Sequence, residues 1–357
     1  MQVVLAAGGT GGHIEPALNV ADALRRADPD VQILVIGSER GLETTLVPAR
    51  GYELVSVPAV PLPRRPSMDL VRLPFRLRTA VGQAADAMRA RGADVVVGFG
   101  GYASVPALLA ARRTRTPLVI HEANARPGIA NRLGARFTTH VFSAFPDAMP
   151  GSQAMALPLR HSIATVDRAA MRAEGRSYFG LPDEGPVLLV FGGSQGAQRL
   201  NEVVAAAVPT LLDAGIAVLH AFGGRNAAPQ AQAGYVPVPY IDRMDLAYSA
   251  ADIALTRAGA MTCAELAAVG LPAVYVPLPV GNGEQRVNAL PVVEAGGGIL
   301  VDDADITAEW LTSTVRSIVE DDDRMRAMGA AAAAHGVRDA DERLARIVHE
   351  VGTGRGQ

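Results

Sequence analysis

Two glycine-rich segments with the same layout are suited to binding anions. Residues 8–13 (GGTGGH) follow the apolar run 3–6, and residues 192–198 (GGSQGAQ) follow the apolar run 187–191. Each pattern predicts a strand, a glycine loop and a helix. Glycine lets the backbone turn sharply and approach a ligand, and the first turn of a helix offers unpaired amide hydrogens and a positive dipole end. The sequence therefore predicts two sites for phosphate-bearing ligands.

Further polar clusters follow other apolar runs. They are residues 98–104, 121–124, 257–259 and 281–285. In an open parallel sheet, ligands bind beyond the carboxyl ends of the strands. We therefore expect the glycine loops and these clusters to converge on one edge of a sheet in each half of the chain.

The elements that position these clusters are predicted from Val-, Ile- and Leu-rich runs that alternate with helical stretches. Continuous apolar strands indicate a parallel sheet covered on both faces, so the fold class is α/β with two Rossmann-like domains. We place the domains at 1–160 and 161–337, because a polar stretch with Gly and Pro ends the first half. A last helix, at about 338–353, is a candidate to pack back on the first domain. The predicted strands are 3–6, 32–36, 94–97, 117–120, 140–143, 187–191, 217–222, 235–240, 252–256, 272–276 and 298–301.

Composition narrows the class of protein. The chain has 357 residues and a formal net charge of −3, which is typical of a two-domain enzyme and argues against nucleic-acid binding. The single cysteine, Cys263, excludes an intrachain disulfide and indicates a reducing cytoplasm. Met1 and Gln2 run straight into the predicted first strand, so we expect no secretory leader, and no uninterrupted apolar stretch reaches membrane-spanning length. We therefore expect a soluble protein, or one at a membrane surface.

All 33 basic residues are arginine, and the sequence contains no lysine. Neither glycine loop can therefore be a P-loop of the nucleotide triphosphatases, which requires a lysine. Schiff-base chemistry with a pyridoxal or carbonyl substrate is excluded for the same reason. Any side-chain cation that binds a phosphate must be an arginine.

Together, the motifs resemble those of the MurG family, in the family's order and over nearly the whole chain. The residues that carry the resemblance are 8–13, 16–18, 98–104, 121–124, 192–197, 241–242, 257–262, 265, 270–272, 285 and 288. The resemblance implies the GT-B fold, with two Rossmann-like domains whose parallel sheets face each other across a cleft. It also implies an inverting transfer of N-acetylglucosamine from its UDP carrier to undecaprenyl-pyrophosphoryl-MurNAc-pentapeptide, the lipid I to lipid II step of peptidoglycan synthesis. The first domain would bind the lipid-linked acceptor, and the second domain the UDP-sugar.

The resemblance also implies which residues contact each substrate. Donor contacts are implied for Thr10, Gly11, Gly12, His13, Asn124, Arg160, Ser194, Gln195, Gly196, Ile241, Arg257, Met261, Thr262, Glu265, Gln285 and Asn288. Contacts to the acceptor's diphosphate are implied for Gly9, Gly11, Gly12, Gly100, Gly101 and Tyr102. Backbone amides can bind a diphosphate without lysine.

The chemistry requires stabilisation of a leaving group and removal of a proton. Amide donors, a helix start and Arg257 can stabilise the charge on the departing UDP, so we expect neither a metal nor another cofactor. Arg257 could instead form an ion pair, and Glu265, which is suited to the ribose hydroxyls, could instead be a solvated helix residue. The candidate base is His13, with Glu122 as the alternative. Glu122 could instead cap the helix that follows it.

Residues 67–78 predict how such an enzyme would reach an acceptor that stays in a bilayer. The segment interleaves Leu70, Leu73, Phe75 and Leu77 with Arg72, Arg76 and Arg78. Apolar insertion and attraction to anionic headgroups would give peripheral docking at the cytoplasmic face of the cell membrane. The alternative is an amphipathic helix whose apolar side chains pack on the sheet.

Three other functions remain open from the residues alone. One is a related GT-B transferase that acts on another lipid or aglycone. The second is a nicotinamide dehydrogenase, although residues 36–38 (IGS) lack the acidic residue that should end the second strand and bind a ribose. The third is a nucleotide-sugar sensor without activity. Testing several acceptors distinguishes the first alternative, and a radiolabelled transfer assay distinguishes the third.

Overall fold

A computed structural model describes residues 1–60, 68–145, 148–193, 196–280 and 283–354, except for the side chains of 68–72. The chain divides into two compact units. Unit 1 comprises Met1–Arg160 and Asp339–Gln357, and unit 2 comprises His161–Arg338. Unit 2 is therefore inserted between the two segments of unit 1. Within the described residues, no helix is long and apolar enough to cross a bilayer.

Unit 1 is built on a parallel sheet. In the described part of the chain, its seven strands lie in the order β3-β2-β1-β4-β5-β6-β7. The strands are β1 (Gln2–Ala7), β2 (Gln32–Ser38), β3 (Glu53–Val57), β4 (Val95–Gly100), β5 (Leu118–Glu122), β6 (His140–Ser143) and β7 (Gln153–Ala154). The helices are α1 (Gly11–Ala27), α2 (Glu43–Ala49), α3 (Met68–Arg91), α4 (Val105–Thr114) and α5 (Ile129–Gly134), with a 3-10 turn at Tyr102–Ser104.

Unit 2 repeats this design. Over the residues described, six parallel strands lie in the order β10-β9-β8-β11-β12-β13. The strands are β8 (Val187–Phe191), β9 (Ala217–Ala221), β10 (Tyr235–Val238), β11 (Ile253–Thr256), β12 (Ala273–Tyr275) and β13 (Gly298–Leu300). The helices are α6 (His161–Ala164), α7 (Arg168–Phe179), α8 (Gln198–Asp213), α9 (Met244–Ala250), α10 (Ala260–Val269), α11 (Glu284–Glu294), α12 (Ala308–Val319) and α13 (Asp322–His335).

Both faces of the unit 1 sheet are buried, as continuous apolar strands require. Along β1, Val3 and Leu5 join the core on one face, whereas Val4 and Ala6 join the core on the other. The last helix, α14 (Ala340–Gly352), contributes Leu344 to the first of these cores, beside α1. Unit 1 is therefore completed by a segment that follows unit 2 in the sequence.

The strand order reverses between β1 and β4 in unit 1 and between β8 and β11 in unit 2. Crevices at such switch points are where open α/β sheets bind ligands, beyond the carboxyl ends of the strands. The two glycine loops follow β1 and β8, and polar clusters follow β4 and β11. The topology therefore places the predicted motifs at the switch point of each sheet.

Candidate active site

The loops that follow β1 and β4 contact each other at glycine positions. Gly101 has a φ of +79°, and a Cβ there would overlap the carbonyl oxygen of Gly8. Gly100 has a φ of +96°, and a Cβ there would lie 3.1 Å from Cδ2 of His13. Only glycine combines this backbone conformation with so close an approach. The structure thus brings Gly100, Gly101 and His13 together at the carboxyl edge of the unit 1 sheet.

Glu43, in the first turn of α2, is a buried carboxylate that sequence analysis missed. It accepts hydrogen bonds from the amide of Gly9 (3.1 Å), the amide of Ser38 (2.9 Å) and the hydroxyl of Ser38 (2.5 Å). Burial alone would raise the pKa of Glu43, but these hydrogen bonds outweigh it and hold the pKa below its ordinary value. The amide hydrogen of Gly9 is therefore directed at a charged carboxylate. The ring of Tyr102 also approaches Gly9, with Cε1 3.3 Å from where a Cβ of Gly9 would be.

His13 lies in the first turn of α1. The helix begins after Thr10, whose Oγ1 lies 3.0 Å from Nδ1 of His13. This hydrogen bond restrains the ring. In the tautomer with a proton on Nδ1, Thr10 accepts the hydrogen bond and Nε2 becomes the basic nitrogen. The arrangement is therefore compatible with a general base at the start of the helix.

Glu122, the alternative base, ends β5 and is buried among donors. Its Oε1 accepts from the amide of Asn124 (2.9 Å), and its Oε2 accepts from the amide of Gly128 and from Nδ2 of Asn131, both at 3.0 Å. These contacts organise the loop before α5, as the helix-capping alternative expects. Because its oxygens already accept these bonds, the geometry favours His13 over Glu122 as the base.

His121 precedes Glu122 and is also buried. Its Nε2 lies 3.1 Å from the carbonyl oxygen of Ala156 and 3.3 Å from that of Met155, to which a protonated Nε2 donates. Burial lowers the pKa of His121 to about 4, against the opposing effect of these two carbonyl groups. His121 is therefore neutral and holds the segment that follows β7.

The second glycine loop packs against the end of β9. Gly196 has a φ of +73°, and a Cβ there would overlap the carbonyl oxygen of Phe222. The same oxygen accepts hydrogen bonds from Nδ2 of Asn201 (2.9 Å) and Nδ2 of Asn226 (2.8 Å). The position of the loop is therefore determined by a carbonyl group that two asparagines hold in place.

His220, a buried histidine of β9 that sequence analysis missed, supports the contact between Gly196 and Phe222. Nε2 of His220 lies 3.0 Å from Oδ1 of Asn201, and Nδ1 lies 2.9 Å from Oη of Tyr235. Because Oδ1 of an asparagine only accepts, Nε2 donates to Asn201 and Nδ1 accepts from Tyr235. Burial lowers the pKa of His220 to about 4 and raises the pKa of Tyr235 to about 12. The neutral imidazole thus orients the asparagine that holds the Phe222 carbonyl.

Arg257, directly after β11, is held by groups of its own unit. Its Nη1 forms an ion pair with Oδ1 of Asp303 at 2.5 Å, with side chains 11% and 18% exposed, respectively. Nη1 also lies 3.3 Å from the carbonyl oxygen of Val276 and 3.4 Å from that of Pro277. The structure therefore contains the ion pair expected as the alternative role, and a phosphate at this position would share the guanidinium with Asp303.

Glu265 lies on α10 and is half-buried rather than fully solvated. The hydroxyl of Tyr248, a fully buried residue of α9, donates to Oε2 of Glu265 at 2.8 Å. Met261 and Thr262 lie in the first turn of the same helix, and Ile241 is buried in the loop after β10. The carboxylate is therefore anchored in a fixed orientation.

Gln285 and Asn288 lie on α11 and support neighbouring backbone. Oε1 of Gln285 accepts from the amide of Leu278 at 2.9 Å. The buried Asn288 satisfies both ends of its amide when its oxygen faces the amide of Ala260 (3.3 Å) and its nitrogen faces the carbonyl oxygen of Glu284 (3.2 Å). Both residues therefore brace the loops at the carboxyl edge of unit 2.

Of three other predicted donor contacts, the structure describes Arg160 but not Ser194 or Gln195. Arg160, at the end of the first segment of unit 1, forms an ion pair with Glu15 of α1 at 2.9 Å. Ser194 and Gln195 lie outside the described residues. Their roles remain predictions.

Residues 68–78 of the segment proposed to meet the membrane form the first part of α3. Leu73 and Leu77 are partly buried and pack against the core of unit 1, whereas Phe75 is 73% exposed and the side chains of Arg76 and Arg78 are also exposed. The prediction that both leucines face the membrane is therefore corrected, because the core formed by the sheet and α4 lies on that side of the helix. The side chains of Leu70 and Arg72 lie outside the described residues.

Two family models match this sequence, one in each half of the chain, and curated relatives match it over nearly its whole length. Residues 3–143 match the glycosyltransferase family 28 N-terminal domain, and residues 187–344 match the glycosyltransferase family 28 C-terminal domain. Relatives from Streptomyces avermitilis and Mycolicibacterium smegmatis are 57% and 56% identical, over 98% of this chain and 98% and 94% of theirs. Both are named UDP-N-acetylglucosamine--N-acetylmuramyl-(pentapeptide) pyrophosphoryl-undecaprenol N-acetylglucosamine transferase. The chain belongs to the MurG family.

Solved structures agree with the MurG assignment. The crystal structure of Acinetobacter baumannii MurG is 27% identical, with a TM-score of 0.76 over 98% of this chain and 99% of that one. The Streptomyces glycosyltransferase SsfS6, complexed with thymidine diphosphate, is 18% identical with a TM-score of 0.66 over 98% of this chain and 99% of its own, a likeness of fold alone. This MurG-family chain is thus a glycosyltransferase with the predicted GT-B fold.

Proposed function

We propose that this MurG-family chain transfers N-acetylglucosamine from UDP-N-acetylglucosamine to the 4-hydroxyl of the muramyl sugar in undecaprenyl-pyrophosphoryl-MurNAc-pentapeptide. The observation that carries the proposal is a glycine loop at the switch point of each sheet, one for each diphosphate-bearing substrate. Relatives 57% identical to the chain are named for this reaction. Unit 2 binds the donor, and unit 1 binds the lipid-linked acceptor.

On the donor side, the charge that develops on the departing UDP requires stabilisation. Helix α8 begins at Gln198, immediately after the glycine loop, so its first amides and its positive dipole end serve the diphosphate. Arg257 adds a cation at the neighbouring strand end. Glu265, oriented by Tyr248, accepts hydrogen bonds from the ribose hydroxyls.

The sugar and the base of the donor are bound by the remaining residues of this edge. The backbone at Ile241 contacts the uracil ring, and the side chains of Gln285 and Asn288 contact the sugar hydroxyls. Met261 and Thr262 are further predicted donor contacts in unit 2, and Thr10, Gly11, Gly12, His13, Asn124 and Arg160 are those predicted in unit 1. These contacts are predicted from the family resemblance, so each one is tested by substituting that residue and measuring UDP-sugar binding.

On the acceptor side, the amides of Gly11 and Gly12 at the start of α1 bind the diphosphate, together with the backbone of Gly100 and Gly101. His13 removes the proton of the 4-hydroxyl while that oxygen attacks the anomeric carbon. The bond from the anomeric carbon to the UDP oxygen breaks in the same step, and UDP leaves with the electron pair. The product therefore has inverted configuration.

A transfer assay tests the function. Radiolabelled UDP-N-acetylglucosamine is incubated with the purified protein and a short-chain analogue of the lipid-linked muramyl pentapeptide. We expect a labelled disaccharide lipid. Transfer to other lipids or aglycones, but not to the muramyl acceptor, would favour the related GT-B transferase. UDP-sugar binding without transfer to any acceptor would favour the sensor.

We further propose that α3 docks unit 1 on an anionic membrane surface, because the undecaprenyl chain of the acceptor stays in the bilayer. Phe75 would insert beside Arg76 and Arg78, each of which adds on the order of 1 kcal/mol of attraction to anionic headgroups. Leu73 is unsuited to the test, since it packs in the core and its replacement by Asp would destabilise unit 1.

The docking test replaces Phe75 by Asp. A matched control replaces Tyr178, which is 58% exposed on α7 of unit 2, by Asp. We expect Phe75→Asp to abolish sedimentation with anionic liposomes and to lower activity on bilayer-embedded acceptor, with activity on the short-chain acceptor retained. Liposome binding that is equal in both variants would reject docking through α3.

A further inference from the structure

Glu43 is a buried carboxylate that the mechanism above does not use, and its surroundings are built around it. A Cβ at Gly8 would lie 2.6 Å from Oε1 of Glu43, and a Cβ at Gly37 would lie 2.9 Å from its Cγ. A Cβ at Gly41 would overlap the carboxylate itself. The end of β1, the end of β2 and the loop before α2 therefore all leave space for this one side chain.

The same carboxylate is aimed at the acceptor-side glycine loop. Its Oε2 accepts from the amide of Gly9, and its Oε1 accepts from the amide and hydroxyl of Ser38. All three partners are donors, so they stabilise the ionised form. A phosphate placed against the Gly9 amide would have to displace a carboxylate and would meet a like charge at close range.

We propose that Glu43 is a positioning residue for acceptor binding, which holds the Gly9 amide and so directs the acceptor's diphosphate to the amides of Gly11 and Gly12 at the start of α1. The inference rests on the proposed function, because it takes unit 1 as the acceptor site. It departs from the expectation that Gly9 itself contacts the diphosphate. Thr10 lies between Gly9 and Gly11, and its hydroxyl contacts His13. The restraint on Gly9 therefore extends to the proposed base, His13.

The test is the isosteric substitution Glu43→Gln, with Glu39→Gln as a matched control. Glu39 is exposed in the same loop between β2 and α2, and its substitution removes the same charge. In Glu43→Gln, the side-chain NH2 replaces one carboxylate oxygen. A donor then faces a donor, either the amide of Gly9 or the amide and hydroxyl of Ser38. We expect the acceptor KM to rise about 10- to 100-fold, as for the loss of one charge-assisted hydrogen bond, and the UDP Kd to stay within about twofold.

Each outcome has a distinct meaning. A fall in kcat with unchanged acceptor KM would show that acceptor binding does not depend on Glu43 and would overturn the inference, as would an equal rise in KM for Glu39→Gln. If wild-type protein fails to transfer to the muramyl acceptor, the proposed function fails before any variant is measured. If Glu43→Gln does not fold, Ser38→Ala removes one donor to the carboxylate, and an unchanged acceptor KM in that variant would overturn the inference.

Discussion

Alanine at Gly196 would disturb the contact that determines the position of the second glycine loop, which is the proposed donor loop, and Gly193 in the same loop provides an internal control. Gly196 and Gly193 have φ values of +73° and +89°. Alanine at either position therefore costs about 1–2 kcal/mol from the left-handed backbone alone. At Gly193, a Cβ would meet no atom of the described residues within 4 Å, whereas at Gly196 it would overlap the carbonyl oxygen of Phe222. The two variants differ in this contact.

The extra cost at Gly196 can be worked out from the distances. The added Cβ would lie 2.8 Å from the carbonyl carbon of Phe222. Because carbon atoms pack at about 3.5–4.0 Å, the loop and the end of β9 must separate by about 1 Å. Overpacking of this kind costs about 1–3 kcal/mol, so we expect total losses of about 2–5 kcal/mol for Gly196→Ala and about 1–2 kcal/mol for Gly193→Ala. Movement of the carbonyl would also strain its hydrogen bonds to Asn201 and Asn226.

Thermal unfolding and UDP calorimetry measure the effect. The difference of about 1–3 kcal/mol corresponds to a Tm about 2–12 °C lower for Gly196→Ala than for Gly193→Ala in a domain of this size. The UDP Kd of Gly196→Ala should rise about tenfold or more, since a displaced loop moves the first amides of α8. Equal Tm values for the two variants would refute the close approach. A lowered Tm with unchanged UDP affinity would refute the role of the loop in donor binding.

Three further predictions concern UDP affinity, turnover and the pH dependence of stability. Glu265→Gln should weaken UDP binding by about 1–3 kcal/mol, because a charge-assisted ribose contact becomes neutral, whereas Glu294→Gln on α11 should leave calorimetric affinity unchanged; equal affinities would remove Glu265 from the site. His13→Ala should lower kcat about 100-fold or more with little change in UDP affinity, and wild-type turnover would move the base elsewhere. His121 and His220 have folded pKa values of about 4, below the ordinary 6.5, so the unfolded chain binds more protons between these values. Stability is therefore complete above about pH 6.5 and falls as the pH drops, by about 2 kcal/mol for each histidine between pH 7 and 5; urea unfolding curves that are flat over this range would contradict the buried, neutral state.

Much of the fold could be predicted from local sequence. Runs such as Val187–Phe191 are apolar at every position, and a strand buried on both faces requires this. β3 escaped prediction, because Glu53 and Ser56 interrupt its apolar pattern at the edge of the sheet, where one side of the strand needs no burial. β7 has only two residues, which is too short for a periodic signal.

Residues of the candidate site could be predicted where they lie in glycine loops or at the ends of strands. They could not be predicted where the burial of a side chain depends on segments that are distant in the sequence. Glu43 stands in a polar helical stretch and looks solvated in the sequence; its burial follows from the meeting of β1, β2 and α2. His220 lies in an apolar strand, and its role depends on partners 19 and 15 residues away. Which face of α3 is exposed depends on how the helix meets the sheet, so Leu73 and Phe75 could not be separated by spacing.

The discontinuous construction of unit 1 determines the order in which the two units can finish folding. A ribosome that has made residues 1–160 has supplied the whole sheet of unit 1 but not α14, whose Leu344, Ala345 and Val348 belong to the same core as Val3 and Leu5. Unit 2 is contiguous and is synthesised completely before α14 is made. Unit 1 therefore leaves apolar surface uncovered for the longest part of synthesis, although its strands are the first to appear. We expect nascent chains that end before α14 to depend most on chaperones, and unit 2 to reach its final structure first.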